Sequence, residues 1–556
     1  MKKFILLLLL TCSPLSHWAQ KSESTENQNL NISRYLEIFN YLYKELDLYY
    51  VDTLDAQKNI TNALSYMLQQ IDPYTEFYDQ DDTDDLRMMA TGKYAGIGSI
   101  ISYHEPSDRC IISEPYEGQP AAKAGLQRGD IILRIDGEDM DVCGNGDRQK
   151  YSSKISNALR GEPNTTLEIT IARPGKNDTL TFHIERETIS LPSVDYSGIV
   201  SDSIGYISVN SYTENTSREF RQAWMELKEK GAHRLIIDLR GNGGGIMVEA
   251  VKMVNLFLPR GLEVLSTRGK VKEMNSIMKT TNEPLDTELP IVVLTDFGTA
   301  SAAEITSGAL QDYDRAVIMG RRTYGKGLVQ TVRNLPYHTK VKVTTSKYYI
   351  PSGRCVQAYE YKDGLPQHLP DSLAKTFYTK AGRPVLDGGG ITPDILLQQD
   401  TLPNLITYLA ISDQLTDYAV HFRQQHETIA PAHQFVLSDE EYKELLLFLK
   451  NKNFTYDQRS RELLSLLRNI ATFEGYAEET KNEFESLESK LTHNLDYDFK
   501  KWETEIRRVV ESAIVTDYYF QRGRQEYELR HDKDIKAAIE LLNNDKKYRE
   551  ILQAPQ

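Results

Sequence analysis

The sequence lacks a long apolar run of the kind that forms a membrane-spanning helix. Residues 4–10 are strongly apolar, but a helix needs roughly 20 apolar residues to cross a bilayer. The short run follows Lys2 and Lys3, an order that is typical of a secretory signal peptide. We therefore predict that residues 1–19 are a cleaved signal peptide and that the mature chain is exported to the periplasm.

Cysteine is scarce, with 4 residues in the whole chain. Cys12 lies in the predicted leader, where the neighbouring Thr11 makes it a poor site for lipid attachment. The others are Cys110, Cys143 and Cys355, an odd number that argues against a dense disulfide framework and leaves a single pair open. Their irregular spacing and the lack of an HExxH motif predict no zinc site. We expect no metal and no cofactor.

Positive charge is in deficit, since 65 lysines and arginines face 80 aspartates and glutamates, for a formal net charge of −15. A nucleic-acid-binding surface normally requires an excess of positive charge, so we expect no nucleic-acid partner. Hydrophobic residues make up 40% of the 556 residues, a normal share for a globular protein with buried cores. A chain of this length has room for several domains.

Four regions follow the leader, and their patterns predict a multidomain α/β protein. Residues 30–90 carry apolar side chains at helical spacing, which predicts a helical N-terminal region. Residues 92–187 hold short β-type runs between glycines and prolines, the pattern of a small β-rich domain. Residues 188–402 alternate β-branched runs with helical segments, which predicts mostly parallel strands. Residues 403–556 form amphipathic patterns, which predict a helical appendage with solvated faces.

A serine lies at the boundary between a predicted strand, "PIVVLTD", and a predicted helix, "SAAEITSGALQDY". That position exposes the hydroxyl of Ser301 and directs the free N–H groups of the first helical turn at whatever the hydroxyl attacks. Acyl transfer needs this geometry because its tetrahedral intermediate carries a negative oxygen. An ordinary helix cap, with Glu304 completing a capping box, explains the same residues.

The chain lacks a histidine in a recognisable catalytic motif. Of its 11 histidines, the nearest to the serine segment, His338, lies in a predicted hairpin turn. Lys326 is the candidate base, because Gly325 and Gly327 let the backbone pack closely around it. Burial must then lower its pKa from about 10.4 to near neutrality. In an extended segment Gln330 lies on the same side and orients the amine. The alternative is a surface lysine in a glycine turn.

A glycine-rich loop ends the predicted strand "RLIIDLRGNGGG". Residues 241–245 offer backbone N–H groups to an anion. A phosphate-binding loop is the rival interpretation, but neither GxxxxGK[ST] nor GxGxxG with a following acidic residue fits this segment. By itself the loop is weak support for either chemistry.

Taken in order, these segments resemble a C-terminal processing peptidase of family S41, which includes the tail-specific and tricorn-type proteases. The resemblance covers about residues 35–400 and includes "IDPYTEFYD", "YAGIG", "GQPAAKAGLQRGDIILRIDG", "DLRGNGGG", "GTASAAEI", "YGKGLVQ" and "GGGITPDI". Each segment alone is weak. Their joint order and the spacing of 25 residues between Ser301 and Lys326 are specific.

The resemblance implies a serine endopeptidase whose core has a ClpP/crotonase-like fold. It implies Ser301 as the nucleophile, Lys326 as the general base and Gln330 as the residue that holds the lysine. It also implies an oxyanion hole made of the backbone amides of Gly244 and Ala302.

The resemblance further assigns residues 92–187 to a PDZ domain. The loop that binds the peptide then comprises Tyr94, Ala95, Gly96, Ile97 and Gly98. A PDZ domain captures a chain terminus by strand addition, so the expected partners are proteins or peptides with free, apolar C-termini. The family does not explain residues 403–556. Two roles stay open for them, which are joining copies of the chain into a homo-oligomer and covering the active site.

Two alternative functions remain. One is a non-catalytic PDZ scaffold on an inactive hydrolase core, with the helical tail as a partner surface. The other is hydrolysis of small amides or esters without recognition of a free carboxylate. The intact set of Ser301, Lys326 and Gln330 favours the peptidase over the scaffold.

Overall fold

The computed structural model describes most of the chain, namely residues 15–79, 88, 91–398, 402–456, 459–491 and 494–554. Residues 1–14 of the predicted signal peptide, with Cys12, lie outside this part. Within these ranges, no helix combines the length and the apolar character that crossing a bilayer requires.

Two helices begin the described chain, α1 (Leu15–Tyr49) and α2 (Ala56–Gln69). The second starts where Asp55 caps it, because the Asp55 carboxylate accepts a hydrogen bond of 3.0 Å from the Lys58 N–H. Large apolar side chains of α1 such as Tyr35 are exposed. This part of the chain is helical, as its periodicity predicts.

The strand β1 (Glu76–Tyr78) lies inside the region 30–90 that the sequence pattern predicts to be helical. The chain turns just before it, where the Asp72 carboxylate accepts hydrogen bonds of 2.8 Å from the N–H groups of Tyr74 and Thr75. The helical prediction is therefore wrong here, because β1 is held by antiparallel pairing with a distant strand of the α/β core, which helical periodicity does not reveal.

The β-rich domain is built on one antiparallel sheet with strand order β3-β4-β5-β7-β8, plus a short pair, β2 with β9. The sheet follows from alternation, since Leu167, Ile169 and Ile171 are fully buried while Glu168 between them is exposed. Its elements are β2 (Lys93–Gly96), β3 (Ser99–His104), β4 (Arg109–Pro115), α3 (Pro120–Ala124), β5 (Ile131–Ile135), β6 (Glu138–Asp139), α4 (Arg148–Leu159), β7 (Thr166–Ala172), β8 (Thr179–Glu185) and β9 (Glu187–Ser190).

The α/β core contains a six-stranded sheet with the order β10-β11-β12-β15-β16-β23, in which only β10 pairs antiparallel. Its elements are β10 (Val194–Ser201), β11 (Ile204–Val209), α5 (Thr216–Glu229), β12 (Arg234–Asp238), α6 (Met247–Asn255), β13 (Glu263–Gly269), β14 (Ser276–Lys279), β15 (Ile291–Thr295), α7 (Ala302–Asp312), β16 (Val317–Gly320), β17 (Leu328–Asn334), β18 (Lys340–Tyr349), β19 (Tyr359–Lys362), β20 (Leu365–His368), β21 (Thr376–Tyr378), β22 (Pro384–Leu386) and β23 (Ile395–Leu396). This confirms the predicted multidomain α/β class with mostly parallel strands.

A second sheet of the core is antiparallel and joins β1 to β18, β13 and β14, with β17 on β18. The hairpin of β17 and β18 turns through Tyr337 and His338, both in the left-handed region with φ of 58° and 61°. His338 is therefore a turn residue, as its sequence context predicts.

The C-terminal region is all-helical in the described residues and has its own apolar core, to which Leu445, Ile506 and Ile514 belong. Its elements are α8 (Asn404–Ile411), α9 (Asp413–Gln425), α10 (Asp439–Asn451), α11 (Arg459–Phe473), α12 (Lys481–Leu491), α13 (Leu495–Lys501), α14 (Glu503–His531), α15 (Lys533–Leu542) and α16 (Asp545–Ile551).

The last two helices cover one face of the parallel sheet. Ile535 and Leu542 pack with Ile236, Val292 and Leu294 of the strands in one apolar cluster. A parallel sheet buries both faces, and α5, α6 and α7 cover only the other one. The prediction of an appendage with solvated faces is therefore wrong for these helices, since the core sheet is incomplete without them.

The long helix α14 also contacts the β-rich domain. The Arg128 guanidinium lies 3.2 Å from the Asp517 carboxylate, and the Gln521 amide donates to Glu114 at 2.5 Å. The C-terminal helices therefore link the two domains.

The cysteines in the described residues, Cys110, Cys143 and Cys355, are free thiols. Burial raises the pKa of Cys110 and of Cys355. The disulfide pair that the sequence leaves open is thus not formed in this structure.

Replacing Tyr548 by Phe is expected to loosen the contact between α16 and the sheet. The Tyr548 hydroxyl accepts from the Ile291 N–H at 2.9 Å and donates to the Ile291 carbonyl at 3.0 Å. Tyr548→Phe removes the hydroxyl that both of these buried backbone groups bind, at a cost of about 1–3 kcal/mol. Hydrogen exchange of residues 291–295, followed by mass spectrometry, should become faster.

The matched control is Tyr337→Phe, because Tyr337 is 91% exposed. Equal exchange rates in the two variants would contradict the importance of the Tyr548 contact.

Candidate functional site

Ser301 lies between β15 and α7, where the strand turns into the helix. Its backbone is held at φ 55° and ψ −116°, a conformation that a residue with a Cβ rarely adopts and that is common at functional sites. The Ala302 N–H at the start of α7 finds no acceptor among the described residues. The turn therefore presents a hydroxyl beside a free backbone donor.

The glycine-rich loop after β12 packs directly against this turn. A Cβ on Gly244 would lie 2.7 Å from the Ser301 Cβ and 2.9 Å from the Ala302 nitrogen, so only glycine fits there. The loop therefore brings Gly244 directly against the turn of Ser301.

The Gly244 N–H is not free in this conformation, because it donates a hydrogen bond of 2.8 Å to the Asn242 side-chain oxygen. Asn242 is fully buried, donates to the Val209 carbonyl at 2.7 Å and accepts from the Ala300 N–H at 2.9 Å through its own carbonyl. The resemblance implies an oxyanion hole made of two backbone N–H groups. The N–H of Ala302 is thus open, and the N–H of Gly244 is hydrogen-bonded within its own loop.

Glu304 joins the serine turn to the lysine loop. Its carboxylate is completely buried. One oxygen accepts from the N–H groups of Ser301 at 2.9 Å and Lys326 at 2.8 Å, and the other accepts from the Thr323 hydroxyl at 2.6 Å and the Gly325 N–H at 2.8 Å. Sequence reasoning assigned Glu304 only to a helix cap. Its link to the lysine loop has no signal in the local sequence.

Burial raises the pKa of Glu304 to about 6, although its hydrogen bonds, that of Thr323 first, oppose the rise. The carboxylate form is the one that accepts four hydrogen bonds. Since Ser301 and Lys326 donate to the same oxygen, the two backbone segments lie side by side.

The Lys326 ammonium does not contact the serine hydroxyl in this structure. Its Nζ lies 4.2 Å from the centre of the Tyr74 ring, and within the described residues it donates no hydrogen bond to Ser301. Burial is the main cause that lowers the pKa of Lys326, followed by the nearby Lys342 charge. Glu76 is the first of the acidic groups that oppose this shift. The pKa of Lys326 is thus shifted in the direction that a base requires, but its side chain points at an aromatic ring.

Tyr74 is a residue that sequence reasoning did not single out. It follows the Asp72 turn, and its hydroxyl lies 3.3 Å from that of Tyr324 and 3.1 Å from that of Tyr361. Burial raises its pKa, so it remains a neutral phenol. The segment before β1 therefore forms one wall of the lysine environment.

Gln330 does not reach the lysine. Its amide donates to the Thr344 hydroxyl at 3.1 Å, across the β17–β18 hairpin. The expectation that even spacing places it beside Lys326 is not met, because β17 begins only at Leu328 and its register shifts between Val329 and Gln330. Such a bulge breaks the alternation on which the spacing argument depends.

The loop that the resemblance assigns to peptide binding leads from β2 into β3. Tyr94, Ala95 and Gly96 pair with β9, while Ile97 is buried and its carbonyl accepts from the Ala121 N–H at 2.8 Å. Gly98 has a φ of 70°. β3 lies at one end of its sheet.

The Arg160 guanidinium lies 5.6 Å from the centre of the Tyr94 ring. A cation thus lies beside the loop, and β3, which follows the loop, is the edge strand of its sheet. An exposed edge of a sheet is a place where an extended peptide can bind by strand addition.

Three family models match the chain. The model for peptidase family S41 matches residues 203–368, a PDZ domain model matches residues 111–173, and the model for the C-terminal helical domain of probable PDZ-proteases matches residues 405–542.

Individual relatives are similar over most of this length. A carboxy-terminal-processing protease of Bartonella bacilliformis is 32% identical over 381 residues, which cover 67% of this chain and 78% of that protein. A probable CtpA-like serine protease of Staphylococcus epidermidis is 30% identical over 346 residues, 62% of this chain and 66% of that protein. A solved photosystem II D1 C-terminal processing protease is 26% identical with a TM-score of 0.35, covering 65% of this chain and 87% of that one.

Replacing Glu304 by Gln is expected to destabilise the protein in a pH-dependent way. The Glu304 carboxylate accepts hydrogen bonds from four donors. The amide nitrogen of glutamine is itself a donor, so it would face N–H or O–H groups that have lost their acceptor. The folded state also holds the Glu304 proton more tightly than the unfolded chain, since burial raises its pKa from 4.5 to about 6. Its contribution to stability is therefore largest below pH 4.5 and decreases as the pH rises through 6, by about 2 kcal/mol.

The measurement is the free energy of unfolding in urea between pH 4 and pH 7. The difference in free energy of unfolding between wild type and Glu304→Gln should shrink over that range. The same difference for Glu474→Gln, a change at an exposed residue, should stay constant. A wild-type advantage that grows with pH would contradict the raised pKa.

Replacing Tyr74 by Leu is expected to lower the pKa of Lys326 further. A ring face stabilises an ammonium by about 0.5–2 kcal/mol, and leucine keeps the apolar cover without the ring. Tyr74→Phe keeps the ring and should leave the pKa unchanged. The ε-carbon shifts of ¹³C-lysine-labelled protein, assigned by the signal missing in Lys326→Ala, report the titration. A higher pKa in Tyr74→Leu would show that the ring acts only by excluding water.

Proposed function

Because the chain belongs to peptidase family S41, the carboxy-terminal-processing proteases, and is a serine-type peptidase, we propose that Ser301 and Lys326 form its catalytic dyad. One observation carries the proposal, namely the convergence of the Ser301 and Lys326 amides on a single oxygen of Glu304. The two residues are thus held next to each other, although they are separated by a helix and a strand.

Lys326 must leave the Tyr74 ring to act. Rotation about its side-chain bonds, which leaves the backbone hydrogen bond to Glu304 intact, carries Nζ towards the Ser301 hydroxyl. The lowered pKa favours a neutral amine, and a neutral amine accepts the hydroxyl proton. The contact with Tyr74 then represents a resting arrangement.

In the reaction, Ser301 Oγ attacks the carbonyl carbon of the peptide bond while Lys326 takes the hydroxyl proton. The negative oxygen is held by the Ala302 N–H and, once it separates from Asn242, by the Gly244 N–H. Lys326 returns the proton to the leaving amine, and water then hydrolyses the acyl-enzyme. Gln330 orients the lysine only if the β17 bulge rearranges.

We propose that the substrates are proteins with free, apolar C-termini. The support is a domain whose edge strand β3 is available for strand addition and whose preceding loop, Tyr94 to Gly98, lies beside the Arg160 cation. Ile101 is packed against the apolar core at this edge, which favours an apolar tail. The leader-like residues 1–19 support export, so we propose exported substrates in the periplasm.

The test uses one folded protein carrying three different C-terminal tails. Wild type should cleave the form with an apolar tail and free carboxylate at least tenfold faster than forms whose tail is amidated or ends in two aspartates. Ser301→Ala and Lys326→Ala should each abolish cleavage of all three forms. Cleavage is followed by mass spectrometry of the products.

Lys340→Ala serves as the control for the lysine variant, because Lys340 lies in β18 away from the dyad. Retained cleavage in Ser301→Ala or Lys326→Ala would overturn the dyad. Equal rates on free and amidated tails would overturn recognition of the C-terminus and favour hydrolysis of amides in general.

A further inference from the structure

A carboxylate of the C-terminal helical region lies at the edge of the parallel sheet where the site loops begin. Asp534 is the second residue of α15, and Asp532 caps that helix by accepting from the N–H groups of Asp534 at 2.8 Å and Ile535 at 3.1 Å. Two arginines of the core meet these carboxylates. Arg240 follows β12, and Arg321 follows β16.

Asp534 bridges the two arginines. One of its oxygens accepts from Arg240 at 3.0 Å and also from Arg321, and its other oxygen accepts from Arg321 at 3.2 Å. The side chain of Asp534 is only 9% exposed. Two cations on different loops thus share one buried carboxylate, and the loss of such a partner is strongly unfavourable.

Arg240 leads into the loop with the implied oxyanion donor. Its guanidinium also donates hydrogen bonds of 2.6 to 3.1 Å to Asp238 at the end of β12, and one of 2.8 Å to Asp532. The glycine loop starts at the next residue and reaches Gly244. A planar guanidinium bound on several sides has little freedom, so the start of this loop is fixed in space.

Arg321 leads into the loop with the lysine. Its N–H donates to the Thr295 carbonyl at 2.9 Å, and its guanidinium is bound by Asp534. The chain then runs through Thr323, whose hydroxyl binds Glu304, to Lys326. The position of Arg321 therefore sets where the lysine loop leaves the sheet.

We propose that Asp534 is a positioning residue for the peptidase reaction. It fixes the distance between the loop of Gly244 and the loop of Lys326, and through it the C-terminal helices complete the active site. The inference rests on the proposed roles of Ser301 and Lys326. Misplacement of catalytic groups by about 1 Å can lower turnover about 100-fold, so loss of the bridge should appear in kcat rather than in substrate binding.

The test compares Asp534→Asn and Asp534→Glu in the full-length enzyme, with the apolar-tailed protein as substrate. We expect Asp534→Asn to lower kcat by 10- to 100-fold with KM within twofold of wild type, and Asp534→Glu, which keeps the charge, to recover at least part of the loss. Asp532→Asn removes a contact to Arg240 alone and should have a smaller effect.

Asp545→Asn is the matched control from the same helical region. Asp545 lies 3.6 Å from Arg234, at the opposite end of β12 from Arg240. It contacts the same strand away from the site loops, so its removal should leave kcat unchanged.

Titration with an active-serine phosphonate separates positioning from loss of structure. If Asp534 positions the loops, the variant keeps the wild-type number of reactive serines and each reacts more slowly. If the residue is only structural, fewer serines react at the normal rate, and the inference is overturned. Wild-type kcat in Asp534→Asn, or an equal loss in Asp545→Asn, overturns it as well.

Should Asp534→Asn fail to fold, Arg321→Lys takes its place in the same titration, because it keeps the charge and loses the two-pronged contact. A slower reaction of the active serine with the phosphonate supports the inference, and a reaction at the wild-type rate overturns it. Failure of the proposed function is seen separately, as cleavage retained by Ser301→Ala or Lys326→Ala.

Discussion

The buried carboxylate of Glu304 is the interaction on which the candidate site depends. An unpaired buried charge would be very costly, and this one is tolerated because three backbone N–H groups and one hydroxyl donate to it. The same four hydrogen bonds tie the turn of Ser301 to the loop of Lys326. Burial still raises the pKa of Glu304 to about 6, so the site maintains its geometry at the expense of some stability.

The two residues of the proposed dyad, Ser301 and Lys326, lie side by side in their backbones, but the Lys326 ammonium does not reach the Ser301 hydroxyl. Burial lowers the pKa of Lys326, yet its ammonium faces Tyr74 from the segment before β1. The Gly244 N–H is likewise engaged by Asn242 rather than open. Both arrangements give a polar group a partner within the protein, and both must change before the chemistry that we propose.

The C-terminal helices are a part of the core fold rather than an addition to it. Parallel strands need cover on both faces, and α15 and α16 supply the second one. Once that cover is in place, the start of α15 lies beside the loops that leave β12 and β16. The contacts of Asp534 with Arg240 and Arg321 follow from this packing.

The sequence by itself determined the α/β class, the order of the regions, the strand-to-helix turn at Ser301 and the candidate base Lys326, because local periodicity, glycine and segment order carry this information. It did not reveal β1, the bulge that directs Gln330 towards Thr344, the ring of Tyr74 beside the lysine, or the cover of the sheet by the last helices. Only the tertiary structure decided these, since each depends on contacts between residues far apart in the chain, and spacing along a segment holds no record of them. Glu304 shows the boundary between the two: its bond to Ser301 is local and readable as a cap, whereas its bonds to Thr323, Gly325 and Lys326 exist only because the fold brings that loop to it.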